Sequence, residues 1–495
     1  MAKRPGGQGS RAAKRARKAA DKELKEHAID DQDGDDFFVH SEQEQSGSES
    51  DGEEPEETQE EKRLRLARDY IKRLQEAASS EEDEGSGEEP DDGGEGGDAD
   101  VLQRRLQNRA QLEAGHAFRR LASRLRAVDL AACPAAGGRL LGGHRAHRLP
   151  PTGVCLGRSD ELAFSVGKDG AIFKWDVERG AGERWAQPED VKAARDEADP
   201  ATWVKRGPRQ GGSRRGLLAC AASADGRYLA VGGGARRVLL YDVRTGKHVV
   251  SFPGHRDAVS ALAFRDGGAE LYSGSFDRTV KVWNTELRAY MDTLFGPQAQ
   301  ITCVDVRRAE RVLAGAMDHT VRLFKVPDET QLVFRSRSMT VEACRLLTSS
   351  EFVTGDQDGT LAVWSHLSKK PSLVVNDAHP RTLENGAAVG AGCVGEACAS
   401  WISSIAVAKG SDLVASGAGN GAIRLWEARC GSKGGPIKSL RPVCALPARG
   451  FVNGLAVAES GRFLLAAVGQ EPRLGRWARD AKARNGVFLH QLELA

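Results

Sequence analysis

YSGSFDRTVKVWN, residues 272–284, is the clearest copy of a pattern that recurs along this chain of 495 residues. The pattern begins with small residues, continues through an Asp and a tight turn, and ends in an alternating apolar segment closed by an aromatic residue. Six further copies begin at residues 165, 230, 314, 354, 416 and 466. The chain therefore repeats one structural unit seven times.

The spacing of the closing aromatic residues indicates what the unit is. Three successive intervals are 42, 41 and 40 residues, the period of a four-stranded propeller blade, and the longer intervals of 66, 62 and 51 residues indicate insertions. Because one blade cannot bury both of its faces, the units must close into a ring. The sequence predicts an all-β fold, a seven-bladed WD40 β-propeller over residues 138–494. The closing aromatic residues are Trp175, Tyr241, Trp283, Phe324, Trp364, Trp426 and Trp477.

The turn before each aromatic residue carries an Asp in four of the seven copies, six positions upstream. In an ordinary WD40 repeat this Asp accepts hydrogen bonds in the turn and holds a His from a preceding Gly-His pair. We therefore expect Asp169 to pair with His144, and Asp277 with His255. The C-terminal GVFLHQLEL is expected to supply the outer strand of the last blade, with residues 138–144 pairing near it.

Charge is segregated along the chain. Residues 1–100 hold 15 Lys/Arg and 31 Asp/Glu, a net charge of −16, whereas residues 101–495 carry a net charge of +17. Such an acidic segment repels itself and has little apolar surface to bury, so the sequence predicts a largely disordered tail over 1–100. A basic body attached to an acidic tail bears on the choice of partners and not on the fold.

Several short features stand within this tail. Two basic clusters near the N-terminus predict a nuclear import signal, with a generic solvated basic arm as the alternative. Serines that precede acidic residues suit acidophilic kinases. The import residues are Lys3, Arg4, Lys14, Arg15, Arg17 and Lys18. The serines are Ser46, Ser48, Ser50, Ser79 and Ser80.

Two amphipathic segments precede the repeats. EEKRLRLARDYIKRLQEA, residues 60–77, has apolar residues at helical spacing and predicts a short helix that docks on a partner or on the body. Residues 101–130 predict a basic amphipathic helix that lies on RNA, lies on an acidic protein surface, or connects by packing on the body.

The sequence offers no chemistry outside the repeats. It contains no phosphate-binding Gly-rich loop and no nucleophile elbow, so we expect neither an enzyme nor a cofactor. No run of 18 apolar residues and no apolar signal segment are present, so we expect an intracellular protein without a membrane span. Nine scattered cysteines indicate reduced thiols. Cys393 and Cys398 with His379 lack a convincing fourth zinc ligand, so loop thiols are the preferred interpretation and no metal is expected.

Six sequence segments go beyond the generic repeat. They are residues 254–284, ETQLVF, WISSIA, FVNGLAV, VGQEPRLGRWARDAKARNGV at 468–487, and the tail segment EEKRLRLARDYIKRLQ. Together they resemble the WD40 protein of the U3 small nucleolar ribonucleoprotein, and the 468–487 segment is the most specific of them. The chain departs from the family pattern by losing Gly-His at FGPQ and FRSRSM, and by an insertion around residues 383–400.

The resemblance implies a function. Members of this family bind the box B/C region of U3 RNA together with a small kink-turn-binding protein. They act in the nucleolus, within the small-subunit processome that matures 18S ribosomal RNA. A basic propeller agrees with phosphate binding, and an RNA kink is read through shape and phosphates more than through base edges. The expected RNA-binding residues are Arg473, Arg476, Lys482, Arg484 and Asn485, with weaker support for Arg256, Lys369, Lys370 and Arg381.

Two other classes of function fit a propeller with an acidic tail. A chromatin or histone-binding scaffold would lose its partner when the tail is deleted, whereas RNA binding would persist in residues 130–495. A ubiquitin-ligase substrate receptor would need an adaptor-docking motif ahead of the propeller, and the sequence shows none.

Overall fold

The computed structural model describes residues 119–125, 138–143, 147–188, 216–307, 311–337, 340–380, 401–431 and 436–492. Within these ranges no helix is both long enough and apolar enough to cross a membrane. Several sequence-predicted features lie outside the described residues: the import residues, the tail serines, the 60–77 helix, Cys393, Cys398, Arg381 and His144.

The described residues form seven four-stranded antiparallel sheets, which confirms the predicted seven-bladed propeller. Alternating apolar residues and Gly- or Asp-containing turns produce four short strands in each repeat. Blade 1 contains β2 Pro151–Leu156, β3 Leu162–Gly167, β4 Ile172–Asp176 and β5 Gly182–Trp185. Blade 2 contains β6 Leu217–Ala222, β7 Tyr228–Gly233, β8 Val238–Asp242 and β9 His248–Phe252. Blade 3 contains β10 Val259–Phe264, β11 Glu270–Ser275, β12 Val280–Asn284 and β13 Ala289–Leu294.

The remaining blades follow the same order. Blade 4 contains β14 Ile301–Val306, β15 Arg311–Ala316, β16 Thr320–Lys325 and β17 Thr330–Arg335. Blade 5 contains β18 Val341–Leu346, β19 Glu351–Asp356, β20 Leu361–Ser365 and β21 Leu373–Val375. Blade 6 contains β22 Ser404–Val407, β23 Leu413–Gly417, β24 Ala422–Cys430 and β25 Ile437–Pro447. Blade 7 contains β26 Phe451–Val457, β27 Phe463–Gly469, β28 Gly486–Gln491 and, from far upstream, β1 Arg139–Leu140.

The ring closes through blade 7, and here two expectations were wrong. GVFLHQ forms the third strand, β28, and the outer strand is β1, where Arg139 pairs with Leu489. Trp477 is not the closing aromatic residue of this blade, because it lies in the connection between β27 and β28. His490, paired with Leu464, takes that position, as Trp283 paired with Leu271 does in blade 3. The connection between the two strands has 16 residues, against three or four in the other blades, and this extra length displaced the pattern.

Two faces of the ring follow from the strand order. The first strand of each blade lines the central channel, and successive strands run outward. Because the strands alternate in direction, turns between second and third strands share one face with the connections between blades. We call this the upper face, and the face with the other turns the lower face.

In three blades, hydrogen bonds between polar side chains connect the second and third strands to residues of the upper-face connections. In blade 3 the Trp283 indole donates to the Ser273 hydroxyl at 2.8 Å, and that hydroxyl contacts His255 Nε2 at 2.7 Å. His255 Nδ1 lies 2.8 Å from Asp277, so the predicted His255–Asp277 pair is confirmed. These groups are buried and mutually hydrogen-bonded, and their role is structural.

The same arrangement in blades 1 and 6 corrects the predicted partner of Asp169 and gives His379 a structural role. In blade 1 the partner of Asp169 is His147, 3.7 Å from its carboxylate, and not the predicted His144. His147 also contacts Ser165 at 2.7 Å, at the place that His255 has in blade 3. The observed partner lies three residues downstream of the predicted one, after a segment in which Leu141 and Gly142 bond to blades 7 and 1. In blade 6 His379 contacts Ser416 at 2.7 Å, so it is the structural histidine of that blade.

The segment ahead of the propeller packs on the lower face. Residues 119–125 hold a 3-10 turn over Ala122–Arg124 and no α-helix, while the remainder of the predicted 101–130 helix lies outside the described residues. Both the Leu121 and Ala122 N–H groups donate to Asp412, at 2.8 and 2.9 Å. Leu121 and Leu125 are buried in the core between blades 6 and 7. Of the three alternatives for this stretch, the described part packs on the body.

Candidate nucleic-acid interface

The connection between β27 and β28, residues 470–485, departs from the blade pattern on the upper face. It has 16 residues, whereas the corresponding turns of the other six blades have three or four. We call it the last-blade loop. It contains all five of the strongest sequence-predicted RNA-binding residues, which the structure thus brings together.

Side-chain amides close the base of this loop. The Gln470 N–H donates to Asn485 Oδ1 at 2.9 Å, and the Gln470 side chain donates to the Ala483 carbonyl at 2.9 Å. The Asn485 amide also donates to the Arg148 carbonyl at 3.5 Å. Asn485 therefore uses its amide within the protein, where it holds the two ends of the loop together.

A lysine from blade 1 fixes the middle of the loop. Lys168 Nζ donates to the carbonyls of Pro472 and Gly475, at 2.7 and 2.8 Å, and lies 3.5 Å from Glu471. Burial lowers the pKa of Lys168, and the Glu471 carboxylate partly opposes that shift. Two carbonyls and one carboxylate are a suitable set of acceptors for a buried ammonium group. The loop conformation thus depends on a residue more than 300 positions away.

Arg473 enters the central channel. Its guanidinium donates to the Thr302 carbonyl of blade 4 at 2.8 Å. Arg473 and Glu342 both line the channel. Burial raises the pKa of Glu342, and the nearby positive charge of Arg473 partly opposes that rise. Arg473 is thus half-buried and engaged inside the ring, unlike the other cations of the loop.

The other cations of the loop face solvent. Arg476 has a side chain that is 68% exposed and lies 3.2 Å from Glu471. Arg479, Lys482 and Arg484 are exposed as well. Arg449, next to the loop, is 59% exposed and 3.7 Å from Asp480. This set of cations, which we call the cationic rim, consists of Arg449, Arg476, Arg479, Lys482 and Arg484.

Three of the four weaker candidates lie away from the last-blade loop. Arg256 is exposed on the upper face between blades 2 and 3, where its N–H donates to Asp277 at 2.9 Å. Lys369 and Lys370 are exposed in the turn between β20 and β21, on the lower face. Arg381 lies outside the described residues. The structure therefore does not join the three described candidates, Arg256, Lys369 and Lys370, to the last-blade loop.

Sequence reasoning missed Lys168 and Trp477. Lys168 precedes Asp169 at the place where Phe276 precedes Asp277, and the other copies also have an uncharged residue there, so its charge was the available signal. Trp477 was assigned to a strand by its spacing. Among the described residues, no cluster of three or more His, Cys, Asp or Glu side chains is placed to hold a metal ion.

The fold and this surface define a class of protein: a WD40 propeller with a large basic loop on its upper face. The family model "WD domain, G-beta repeat" matches residues 246–284 and 392–427. An Arabidopsis thaliana relative, "U3 snoRNP-associated protein-like EMB2271", is 43% identical over 94% of this chain and 92% of its own length. The Homo sapiens protein "U3 small nucleolar RNA-interacting protein 2" is 35% identical over 88% of this chain and 82% of its own.

A solved structure agrees with these relatives. The structure titled "Structure of U3-55K" is 36% identical, has a TM-score of 0.61, and covers 73% of this chain and 99% of that one. The chain belongs to the family of U3 snoRNP-associated WD40 proteins. The resemblance found in the blade and loop segments is thereby confirmed.

Proposed function

We propose that this protein is a non-catalytic RNA-binding component of the U3 small nucleolar ribonucleoprotein. In this proposal it binds the box B/C region of U3 RNA beside a small kink-turn-binding protein, contacts other processome proteins, and works in the nucleolus toward 18S ribosomal RNA. Family membership across 94% of the chain is the observation that supports the particle assignment. The cationic rim supports direct contact with RNA.

The placement of charge supports the upper face as the RNA surface. Arg476, Lys482 and Arg484 project from one loop whose backbone is held by Lys168 and Asn485. Guanidinium groups on a fixed backbone clamp phosphates without a large ordering cost. A bent RNA presents phosphates from two helical segments to such a surface. Arg473 has a different role in this proposal, because its guanidinium is already engaged by Thr302.

The test is a binding measurement with a matched control. The triple variant Arg476→Ala, Lys482→Ala, Arg484→Ala removes three exposed cations from the upper face. The double variant Lys369→Ala, Lys370→Ala removes two from the lower face. Each full-length protein is titrated against U3 box B/C RNA preassembled with the kink-turn-binding protein, over a range of salt concentrations.

We expect the triple variant to bind at least about tenfold more weakly at low salt, with a salt slope about 2–3 units shallower. The lower-face variant should keep the affinity and slope of the wild type. A triple variant that binds like the wild type would exclude the cationic rim. A wild-type protein that ignores this RNA but binds histones through its tail would exclude RNA binding altogether.

A further inference from the structure

We infer that the exposed ring of Trp477 is a stacking platform for an unpaired base of the bound RNA. This inference rests on the proposed function and adds to it, because it assigns a base-contacting residue to a surface otherwise composed of phosphate-binding cations. It concerns a residue whose spacing in the sequence had predicted a buried structural role.

Trp477 differs from the four tryptophans that close a repeat. Its side chain is 44% exposed, whereas Trp175, Trp283, Trp364 and Trp426 are 1–2% exposed. Its ring faces solvent on a surface loop, where binding residues are concentrated. The exposed area is therefore available to a ligand.

The ring is nevertheless held in place. A Cβ atom at Gly475 would lie 1.7 Å from Trp477 Cζ3, so the ring occupies the space that any side chain at 475 would need. Trp401, from the connection ahead of blade 6, contacts the ring with a centroid distance of 5.9 Å and an interplanar angle of 47°. The next residue, Ala478, is buried in a cluster with Phe451. The platform is therefore preorganised before any ligand binds.

The surroundings favour a nucleotide as the ligand. Arg476 and Arg479 flank Trp477 in the chain, and both are exposed. A base that stacks on an aromatic ring while its phosphate meets a neighbouring cation is the usual arrangement in single-strand nucleic-acid binding. Stacking also requires a base that has left its helix, and kinked RNA contains such bases.

The position of the platform depends on Lys168, which fixes the middle of the last-blade loop. Lys168 donates to the Gly475 carbonyl, and Gly475 lies directly under the Trp477 ring. Contacts from blade 1 thus set the height and direction of the stacking surface. Only glycine fits at position 475, because the Trp477 ring occupies the space that a Cβ atom would need.

The first experiment compares Trp477→Leu with Trp477→Phe, and uses Tyr290→Ala as the control. Tyr290 is 52% exposed on the outer strand of blade 3, far from the last-blade loop in the blade order. With the RNA particle of the preceding section, we expect Trp477→Leu to weaken binding about tenfold and Trp477→Phe much less. The salt slope should stay unchanged, because stacking releases no counterions. Tyr290→Ala should bind like the wild type.

A second measurement begins with the wild-type protein and then adds the Trp477→Leu variant. Unpaired nucleotides of the RNA are replaced one at a time by abasic nucleotides, and the wild-type protein is titrated against each. We expect one replacement to weaken binding about tenfold, and Trp477→Leu to lose nothing further with that RNA. This coupling identifies the base that stacks on the ring.

The outcomes separate this inference from the proposed function. A wild-type protein that fails to bind the particle overturns both. If the wild type binds and loses affinity in the cationic-rim variant, yet no abasic position couples to Trp477, only the stacking inference is overturned. A Trp477→Leu variant that changes the salt slope as a cation variant does would also overturn it.

Discussion

Blades 3 and 7 have the same strand order but use their upper-face residues in different ways. In blade 3 the four-residue turn between β11 and β12 is tied to the core through Asp277, His255, Ser273 and Trp283. In blade 7 the position of Trp283 is held by His490, and no hydrogen-bond partner of its Nε2 is present among the described residues. The turn is replaced by the last-blade loop.

The upper-face residues of blade 3 stabilise the fold, whereas those of blade 7 are left available for binding. Blade 3 uses its polar residues on internal hydrogen bonds, so its upper turn has little freedom to contact a ligand. The loop of blade 7 obtains its order from outside the blade, through Lys168 of blade 1 and the Thr302 carbonyl of blade 4. This arrangement leaves its cations and Trp477 exposed on a fixed backbone.

The largest expected effect separates the two blades by stability. Trp283→Ala should lower the free energy of unfolding by about 3–5 kcal/mol, because it removes a buried indole and leaves the Ser273 hydroxyl without its indole donor. His490→Ala should lower it by only about 1 kcal/mol, the usual range for a single substitution. Urea unfolding followed by circular dichroism measures both. Equal losses would show that the two positions are equivalent after all.

The next effect concerns Lys168, which fixes the middle of the last-blade loop. Lys168→Met should lower the free energy of unfolding by about 3 kcal/mol, because two carbonyls and Glu471 lose a buried cation. RNA affinity should fall as the loop loses its fixed backbone. Phe276→Met, at the equivalent position of blade 3, should cost less than about 1.5 kcal/mol and leave RNA binding intact. Urea midpoints and RNA titration give the two readouts, and a similar loss of RNA affinity in both variants would contradict this role of Lys168.

A third effect appears on acidification. Burial lowers the pKa of His490 to about 4, whereas an unfolded histidine titrates near about 6.5. Between these values the unfolded chain binds the proton and the folded one does not, so stability falls as the pH drops from about 6.5 to 4. In blade 3, although burial opposes it, hydrogen bonds from His255 and Thr279 hold the pKa of Asp277 well below its usual range. The stability that the Asp277 carboxylate contributes is therefore lost only at lower pH than the stability linked to His490.

His490→Phe tests this assignment, because it removes the titrating group and restores an aromatic residue. Relative to the wild type, the variant should lose about 2–3 kcal/mol less stability between pH 7 and pH 4. Thermal unfolding at several pH values gives the curve for each protein. Parallel curves would show that His490 does not titrate in this window.

The smallest expected effect concerns the base of the last-blade loop. Asn485→Ala removes the acceptor of the Gln470 N–H and should cost about 1 kcal/mol, a typical net value for one hydrogen bond. RNA affinity should fall through the loosened loop, with an unchanged salt slope, since Asn485 carries no charge. Urea unfolding and RNA titration check both points. A shallower salt slope in this variant would contradict a purely positional role.

Much of the fold could be predicted from the sequence because the information is local. The recurring turn and strand pattern predicted seven blades, and the 22-residue separation of His255 and Asp277 placed both within one repeat unit. The prediction was wrong where an insertion moved the pattern. Trp477 has the spacing of a blade aromatic residue, yet it lies in a loop, and His147 replaced His144 beside Asp169. Periodicity cannot distinguish a true repeat from a similar residue in an insertion.

The candidate site was predicted as one continuous segment, and the structure shows that its residues have different surroundings. The residues of the last-blade loop lie together, as its continuous sequence required. Their environments differ, because Arg473 enters the channel, Asn485 closes the loop, and Arg476 faces solvent. Arg473 and Arg476 have the same side chain, and they differ in environment only because the loop places them against different surfaces.

By itself the sequence determined the number of blades, the turn chemistry of the regular repeats and the segregation of charge between tail and body. Each of these depends on residues close together in the chain. Only the tertiary structure decided which strand closes the ring, which cation fills the channel and which tryptophan faces solvent. Lys168 meets Pro472 and Arg473 meets Thr302 across 304 and 171 residues. Such contacts exist only after the ring has closed, so no local pattern encodes them.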